Sequence, residues 1–147
     1  MLDEKDRLIL QELEKDARMP TKRIATKLDI PRVTVHSRIE KLKQEGVIRK
    51  FTIEKDFKKI GLPVTAFVFI EFAQNAEITQ RKLAEKLARL PNVSEVHLIS
   101  GEWDLLVKVR GATLEKIGEM VLDKIRPLPG VAKTTTSTSF WCATIDS

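Results

Sequence analysis

With 147 residues, 42% hydrophobic and 32% charged, the chain has the apolar content for a core and the length for one domain or two small ones, so disorder is excluded. No apolar run approaches the roughly 18 residues of a membrane span, and the acidic, amphipathic opening MLDEKDRLIL is unlike a secretory signal. The net charge of +5 favours an acidic partner, while the single cysteine, Cys142, excludes an intrachain disulfide and fits a reducing cytoplasm.

Residues 3–16 read as the first helix. Asp3 stands where an N-cap would, Asp6 can reach back from three residues on, and Leu2, Ile9, Leu10, Leu13 and Ala17 supply an apolar stripe. Pro20, whose missing N–H would be unpaired at a helix start in any case, opens a second helix running to Leu28. Pro31 opens a third, which runs to about residue 45 and stops at Gly46. Ile24, Ala25 and Leu28 share a face of the second helix, and Val35, Ile39 and Leu42 fall at i, i+4 and i+7 in the third. Two short helices about a break at Asp29-Ile30-Pro31, the second hiding few residues and displaying polar ones, form the pattern of a helix-turn-helix. Residues 47–54 alternate, with Val47, Arg49, Phe51 and Ile53 on one face, and read as a strand leading out of this first domain.

Gly and Pro in FKKIGLP mark residues 55–63 as a linker, which leaves 1–54 and 64–147 as the two domains. The strand VTAFVFIEFA at 64–73 is apolar on both faces, so both sides of its sheet call for cover, the second by another copy of the chain. Leu83, Leu87 and Leu90 then share a helical face over 77–90. Strands at 93–100 and 105–110 flank the loop Gly101-Glu102-Trp103-Asp104. A helix over 113–125 carries Leu114, Ile117, Gly118, Val121, Leu122 and Ile125 in register, with Thr113 as its cap. Residues 131–145, rich in Thr, Val and aromatics, close the chain as a strand. Strand, helix, strand, strand, helix, strand is the ferredoxin-like βαββαβ order, an antiparallel sheet with both helices on one face. The fold class expected is therefore α+β, an N-terminal winged helix-turn-helix domain followed by a C-terminal ferredoxin-like domain.

The charge follows this division. Residues 1–50 hold 13 Lys+Arg against 9 Asp+Glu, and residues 51–147 hold 13 against 12, so the basic excess sits with the helix-turn-helix. With Val35, Ile39 and Leu42 buried, the opposite face of the third helix holds Val33, Ser37 and Gln44, flanked by His36 and Glu40 on one side and Thr34 and Lys41 on the other. Arg32 at the helix N-terminus can pair with a guanine edge, His36 and Ser37 with base edges, and Val33 with a thymine methyl. Thr34, Arg38 and Lys41 suit phosphate contacts, and Arg49 and Lys50 can reach the backbone as a wing. Each of these is equally readable as a solvated surface side chain; the coincidence of basic excess and helix-turn-helix spacing is what favours double-stranded DNA.

The loop at 100–104 is the second candidate site. Gly101 permits close backbone approach, Ser100 adds a hydroxyl, and Asp104 can take an ammonium group while backbone N–H groups take a carboxylate. A plain hairpin turn, with Trp103 packed on a neighbouring subunit, accounts for the same residues. His36 and His97 lie far apart with no metal-ligand spacing, and Cys142 reads as a small strand residue. No Ser-His-Asp pattern, phosphate-cradling glycine loop or paired carboxylates point to an enzyme, and neither a metal nor a cofactor is expected.

Four segments in order, LDEKDRLIL, RIATKLDI with TVHSRIEKLKQEGVIRKFT, LISGEWDLLVKV and PGVAKTTTS, resemble the Lrp/AsnC family of feast/famine regulators. The resemblance covers nearly the whole chain. It implies a winged helix-turn-helix, a hinge strand and a ferredoxin-like domain that builds homodimers, often joined into octamers, and binds effectors, typically amino acids. It also implies an effector pocket lined by the hairpin Ser100, Gly101, Glu102, Trp103 and Asp104, with Thr134 and Thr136 nearby. Two positions depart from the family pattern: Pro31 where Ser commonly precedes the recognition helix, and Asp29 where glycine is usual in the turn. The function expected is a sequence-specific transcription regulator modulated by a small molecule such as an amino acid, acting in the cytoplasm without membrane attachment. The rival is an architectural DNA-organising protein of low sequence specificity.

Overall fold

The computed structural model describes residues 1–144, which form two compact units, Met1–Glu54 and Lys55–Ala143. In the first, Asp3 caps α1 (Glu4–Lys15) by accepting from the Asp6 N–H at 2.9 Å, and Asp6 accepts in return from the Asp3 N–H at 3.1 Å. Two otherwise unpaired N–H groups at the helix start are satisfied by this exchange. α2 (Thr21–Leu28) ends at Asp29, which takes the left-handed conformation (φ 52°) that turns the chain into α3 (Arg32–Gln44). Aspartate tolerates that region better than most residues, so the turn forms without the expected glycine. Pro20 and Pro31 sit one residue before their helices, with extended ψ and no N–H to leave unpaired. Ile9, Ile24, Ala25, Ile30 and Val35 make the core, with Leu13, Met19, Leu28 and Ile39 packed around them.

The expected strand at 47–54 does not form. Val47 and Ile48 bend back, with the Ile48 N–H donating to the Leu42 carbonyl at 3.0 Å, and the largely exposed chain after them, with Ile53 78% accessible, has no described backbone alongside to accept and donate a ladder of hydrogen bonds. Arg49 and Lys50 therefore stand on free chain beyond α3 rather than on a paired wing strand. Residues 55–63, expected as a linker, fold instead as a turn within the second unit. The Asp56 carboxylate accepts from the N–H groups of Lys58 and Lys59, and the Arg110 guanidinium lies 3.5 Å from the centroid of the Phe57 ring.

In the second unit β1 (Val64–Phe72), α4 (Gln80–Ala88), β2 (Val93–Leu98), β3 (Leu105–Gly111), α5 (Leu114–Met120) and β4 (Val131–Thr138) follow the expected order. The sheet runs β2-β3-β1-β4, antiparallel throughout. The last strand, expected to run to residue 145, ends at Thr138; residues 139–144 are in no strand, and residue 145 lies outside the described residues. Alternate positions Ala66, Val68 and Ile70 of β1 and Leu105, Val107 and Val109 of β3 pack beneath Leu83 and Leu87 of α4 and Ile117, Val121 and Ile125 from α5 and its extension. Both helices thus cover one face. The other carries Phe67 and Phe69 of β1 and Leu106 of β3, each half-buried and under no helix.

The α5 stripe is narrower than the sequence suggests. Leu114 and Leu122 are 62% and 55% exposed. After Met120 the helix widens into a π turn, Val121–Ile125, whose extra residue swings Ile125 back under Val121 and leaves Leu122 outside. Gly130, in the turn just before β4, has φ +96°, and a Cβ there would meet the Phe72 ring at 2.7 Å, so this turn admits no side chain.

Candidate nucleic-acid interface and effector loop

The surface of α3 opposite its buried stripe is built as the spacing requires. Val35 and Leu42 are fully buried, which turns Val33, Ser37 and Gln44 outward; Val33 is 80% exposed. Arg32 and His36 are exposed beside it, and Ser37 Oγ donates to the Thr34 carbonyl at 3.1 Å, which leaves its lone pairs outward. Thr34 is half-buried at the flank. Lys41 reaches Glu45 only at 3.9 Å, too loosely to hold its ammonium against a phosphate.

Arg38 is not part of this face. It lies 60° from Val35 on the helical wheel, and its Nη1 donates to Asp3 Oδ2 at 2.6 Å and to Asp6 Oδ1 at 3.0 Å. The hydrogen bond from Arg38, and then that from the Asp6 N–H, hold the Asp3 carboxyl at about 2, below its ordinary 3.8, and the guanidinium's own pKa is raised in turn, first by Asp3. On the other flank of α1, Glu12 is 5% exposed and joined to Lys27 of α2 at 2.5 Å and to Lys15 at 3.4 Å; the Lys27 bond, foremost, lowers its pKa. Neither buried carboxylate was anticipated from the sequence. The signal was there, since Asp6 and Glu12 stand three residues either side of Ile9 and so fall within 60° of the buried centre of α1.

The second candidate site is more dispersed than expected. The hairpin closes through Ile99 N–H to the Asp104 carbonyl at 2.9 Å, with Gly101 at φ +110°. The Asp104 carboxylate is engaged inside the chain: Oδ2 accepts from the Phe72 N–H at 2.7 Å, where β1 shifts register between Glu71 and Phe72. Its own N–H donates to Ile70 at 3.0 Å, so the residue stitches the hairpin to the end of β1. Trp103 leans on Phe69 (centroids 6.1 Å apart), and the Lys133 ammonium lies 5.6 Å from the Trp103 centroid, all on the helix-free face. Thr134 and Thr136 pair with Ile70 and Val68, so they belong to the helix-covered face. There Thr134 Oγ1 accepts from Arg126 Nε at 3.0 Å, beside an open cleft of about 270 Å³ lined by Arg126, Val131, Ala132, Lys133 and Thr134. Ser100, Gly101 and Glu102 are exposed at the hairpin tip. Within one chain Trp103 thus lies on the opposite face of the sheet from Thr134 and Thr136. Among the described residues no cluster of three His, Cys, Asp or Glu could hold a metal, and no helix is long and apolar enough to cross a membrane.

Comparison with known proteins agrees with both units. Residues 65–141 match the family model of the Lrp/AsnC ligand binding domain, and residues 2–49 match that of a winged helix-turn-helix DNA-binding domain. An HTH-type transcriptional regulator of Pyrococcus horikoshii is 49% identical over 140 residues, spanning 95% of this chain and 93% of that protein. The HTH-type transcriptional regulator LysM of Saccharolobus solfataricus is 35% identical over 133 residues, spanning 90% and 89%. The structure of AsnC from E. coli matches with a TM-score of 0.87 at 26% identity, over 100% of this chain and 99% of that one. A Neisseria meningitidis transcriptional regulator, solved in complex with L-Met, shares the fold with a TM-score of 0.89 at 20% identity, over 96% and 91%.

Proposed function

The chain belongs to the Lrp/AsnC family of DNA-binding transcription regulators, and from that premise we propose that it recognises particular duplex sequences as a homodimer and responds to an amino acid. The observation that carries the DNA half is the outward face of α3, where an 80% exposed Val33 stands among Arg32, His36 and Ser37. An apolar side chain among hydrogen-bonding ones matches the major groove, where thymine methyls alternate with donors and acceptors. Thr34, Lys41, Arg49 and Lys50 supply phosphate contacts around it. The helix-free face bearing Phe67, Phe69 and Leu106 supports the dimer, since a second copy covers such a face with its own equivalent.

For sensing, the ligand-binding family model and the L-Met complex of the Neisseria relative favour an amino acid. Trp103 leans on Phe69 of the helix-free face while Thr134 and Thr136 lie on the helix-covered one, so a pocket using both is assembled between copies. Asp104 serves there chiefly by holding the hairpin. Selection of bound duplexes from a random pool, with and without mixed amino acids, tests the whole reading. Enriched, half-site-spaced sequences that change with the amino acids are expected. Equal retention of all duplexes would favour the architectural alternative, in which the basic excess binds backbone alone.

A further inference from the structure

Arg38 lies on the flank of α3 that turns toward α1 rather than on the outward face. Its side chain is 25% exposed, and Nη1 is shared between Asp3 and Asp6. Those two carboxylates also make the reciprocal cap of α1. Asp6 is 4% exposed, and Arg38 is its one ion-pair partner among the described residues. The start of α1, a buried carboxylate and the middle of α3 are therefore one network.

Building on the DNA-binding reading above, we infer that Arg38 is a positioning residue: it fixes the rotation of α3 on α1, and so the aim of Arg32, Val33 and Ser37 at base edges, without contacting a phosphate. A phosphate drawing the guanidinium away would leave the Asp6 carboxylate buried without a counter-charge, which is strongly unfavourable. Base readout, in turn, needs donors and acceptors held to about 0.5 Å. A helix free to roll on its core still presents positive charge to any duplex but no longer places Arg32 on a chosen base. Loss of the network thus acts on specificity, whereas loss of a phosphate contact acts on all duplexes.

The test uses the full chain, a duplex selected from a random pool and a random duplex of equal length, with affinities measured over a range of salt. Asp6→Asn is the decisive variant, because Asp6 is too buried to meet DNA. Asparagine has one acceptor oxygen where Asp6 uses two, so the cap or the Arg38 bond is lost. Asp6→Asn and Arg38→Gln are each expected to weaken the selected duplex about tenfold, the order of one lost base contact. Random-duplex affinity and the salt slope stay at the parent values. The double variant, in which the Asn amide donates to the Gln carbonyl while its oxygen keeps the cap, recovers most of the loss. Melting of every variant is followed so that folded chains are compared. Arg38→Gln lowering the salt slope by about one unit, for both duplexes alike, would make Arg38 a phosphate contact and overturn the inference. Unchanged affinities in Asp6→Asn would overturn it too, leaving the network a matter of stability alone. A parent chain that binds no duplex would instead remove the DNA reading itself.

Discussion

Arg32 and Lys41 share one helix and one charge, yet their places on it assign them different work. Arg32 is at the N-terminal end, the one that the proposed reading puts in the groove, exposed beside Val33. Lys41 is at the flank, loosely held by Glu45. Arg32→Ala is expected to cost about 1–3 kcal/mol at a selected site and to relax preference at one base position. Lys41→Ala is expected to weaken all duplexes equally and lower the salt slope by about one unit, as titrations of selected and random duplexes will read out. Asp104 shows how a residue's chemistry can be redirected by its neighbours. Its carboxylate has the charge to take an ammonium group, but in the fold it accepts from the Phe72 N–H. Asp104→Ala leaves that donor without its partner, and a loss of about 1–3 kcal/mol in stability follows, seen as a lower melting temperature. Asp104→Asn, which keeps an acceptor oxygen, should lose much less. Equal melting of Ala and Asn variants would show that the bond contributes nothing.

At the scale of elements, the first helix carries an acid-sensitive fastening. The Asp3 carboxyl, held at about 2 by Arg38 and the Asp6 N–H, is depressed below its unfolded value of about 3.8. Its contribution to stability is therefore complete above pH 3.8 and is lost as pH falls from there through about 2. Arg38→Gln removes the largest cause of the depression, so melting temperature should fall less steeply across that window than in the parent. Helix positions and strand order were legible because apolar spacing and proline placement state them locally: Asp3 caps where capping chemistry says, and Pro31 opens α3. What sequence could not show is what depends on a distant partner. Arg38 read as a phosphate contact until Asp3 and Asp6, more than thirty residues earlier, were brought beside it. Residues 47–54 alternated like a strand but lacked a neighbour to pair with, and Thr134 and Trp103 parted because one pairs with Ile70 and the other leans on Phe69, and successive residues of a strand face opposite ways. The π turn after α5 offers a check on the buried stripe. Ile117→Ala should cost about 2–5 kcal/mol, while Leu122→Ser, on the outward side of the turn, should stay within about 0.5 kcal/mol in a denaturant melt. A large loss at Leu122 would mean that something covers it in solution.

At the scale of the whole molecule, the question is what lies over the helix-free side of the sheet. Phe67 and Phe69 of β1 and Leu106 of β3 stand together there, in register across two paired strands, with Trp103 leaning on Phe69 at one end. A sheet with one apolar face under helices and a second left to water keeps aromatic surface solvated, at a cost of roughly 25 cal/mol for each Å² not buried. Of the charges on that side, Lys108 of β3 stands directly opposite Phe67, while Arg110 of β3, Glu71 of β1 and Lys133 of β4 lie toward the ends of the patch. An apolar centre with a polar rim is how one copy meets another about a two-fold axis, where each residue meets its counterpart or near it. A site read across two half-sites also requires two recognition helices, so the proposed dimer would serve the DNA reading as well as the sheet. Phe69→Lys places a charge in the middle of this surface without disturbing Val68 or Ile70, which point the other way into the core. Light scattering should then report the parent as a dimer or a multiple of one and the variant as a smaller, still folded species. Binding to the selected duplex should fall steeply in the variant, while a single half-site is bound as weakly as by the parent. A parent chain found monomeric at micromolar concentration, or a Phe69→Lys chain that remains dimeric, would place the contact elsewhere on the molecule.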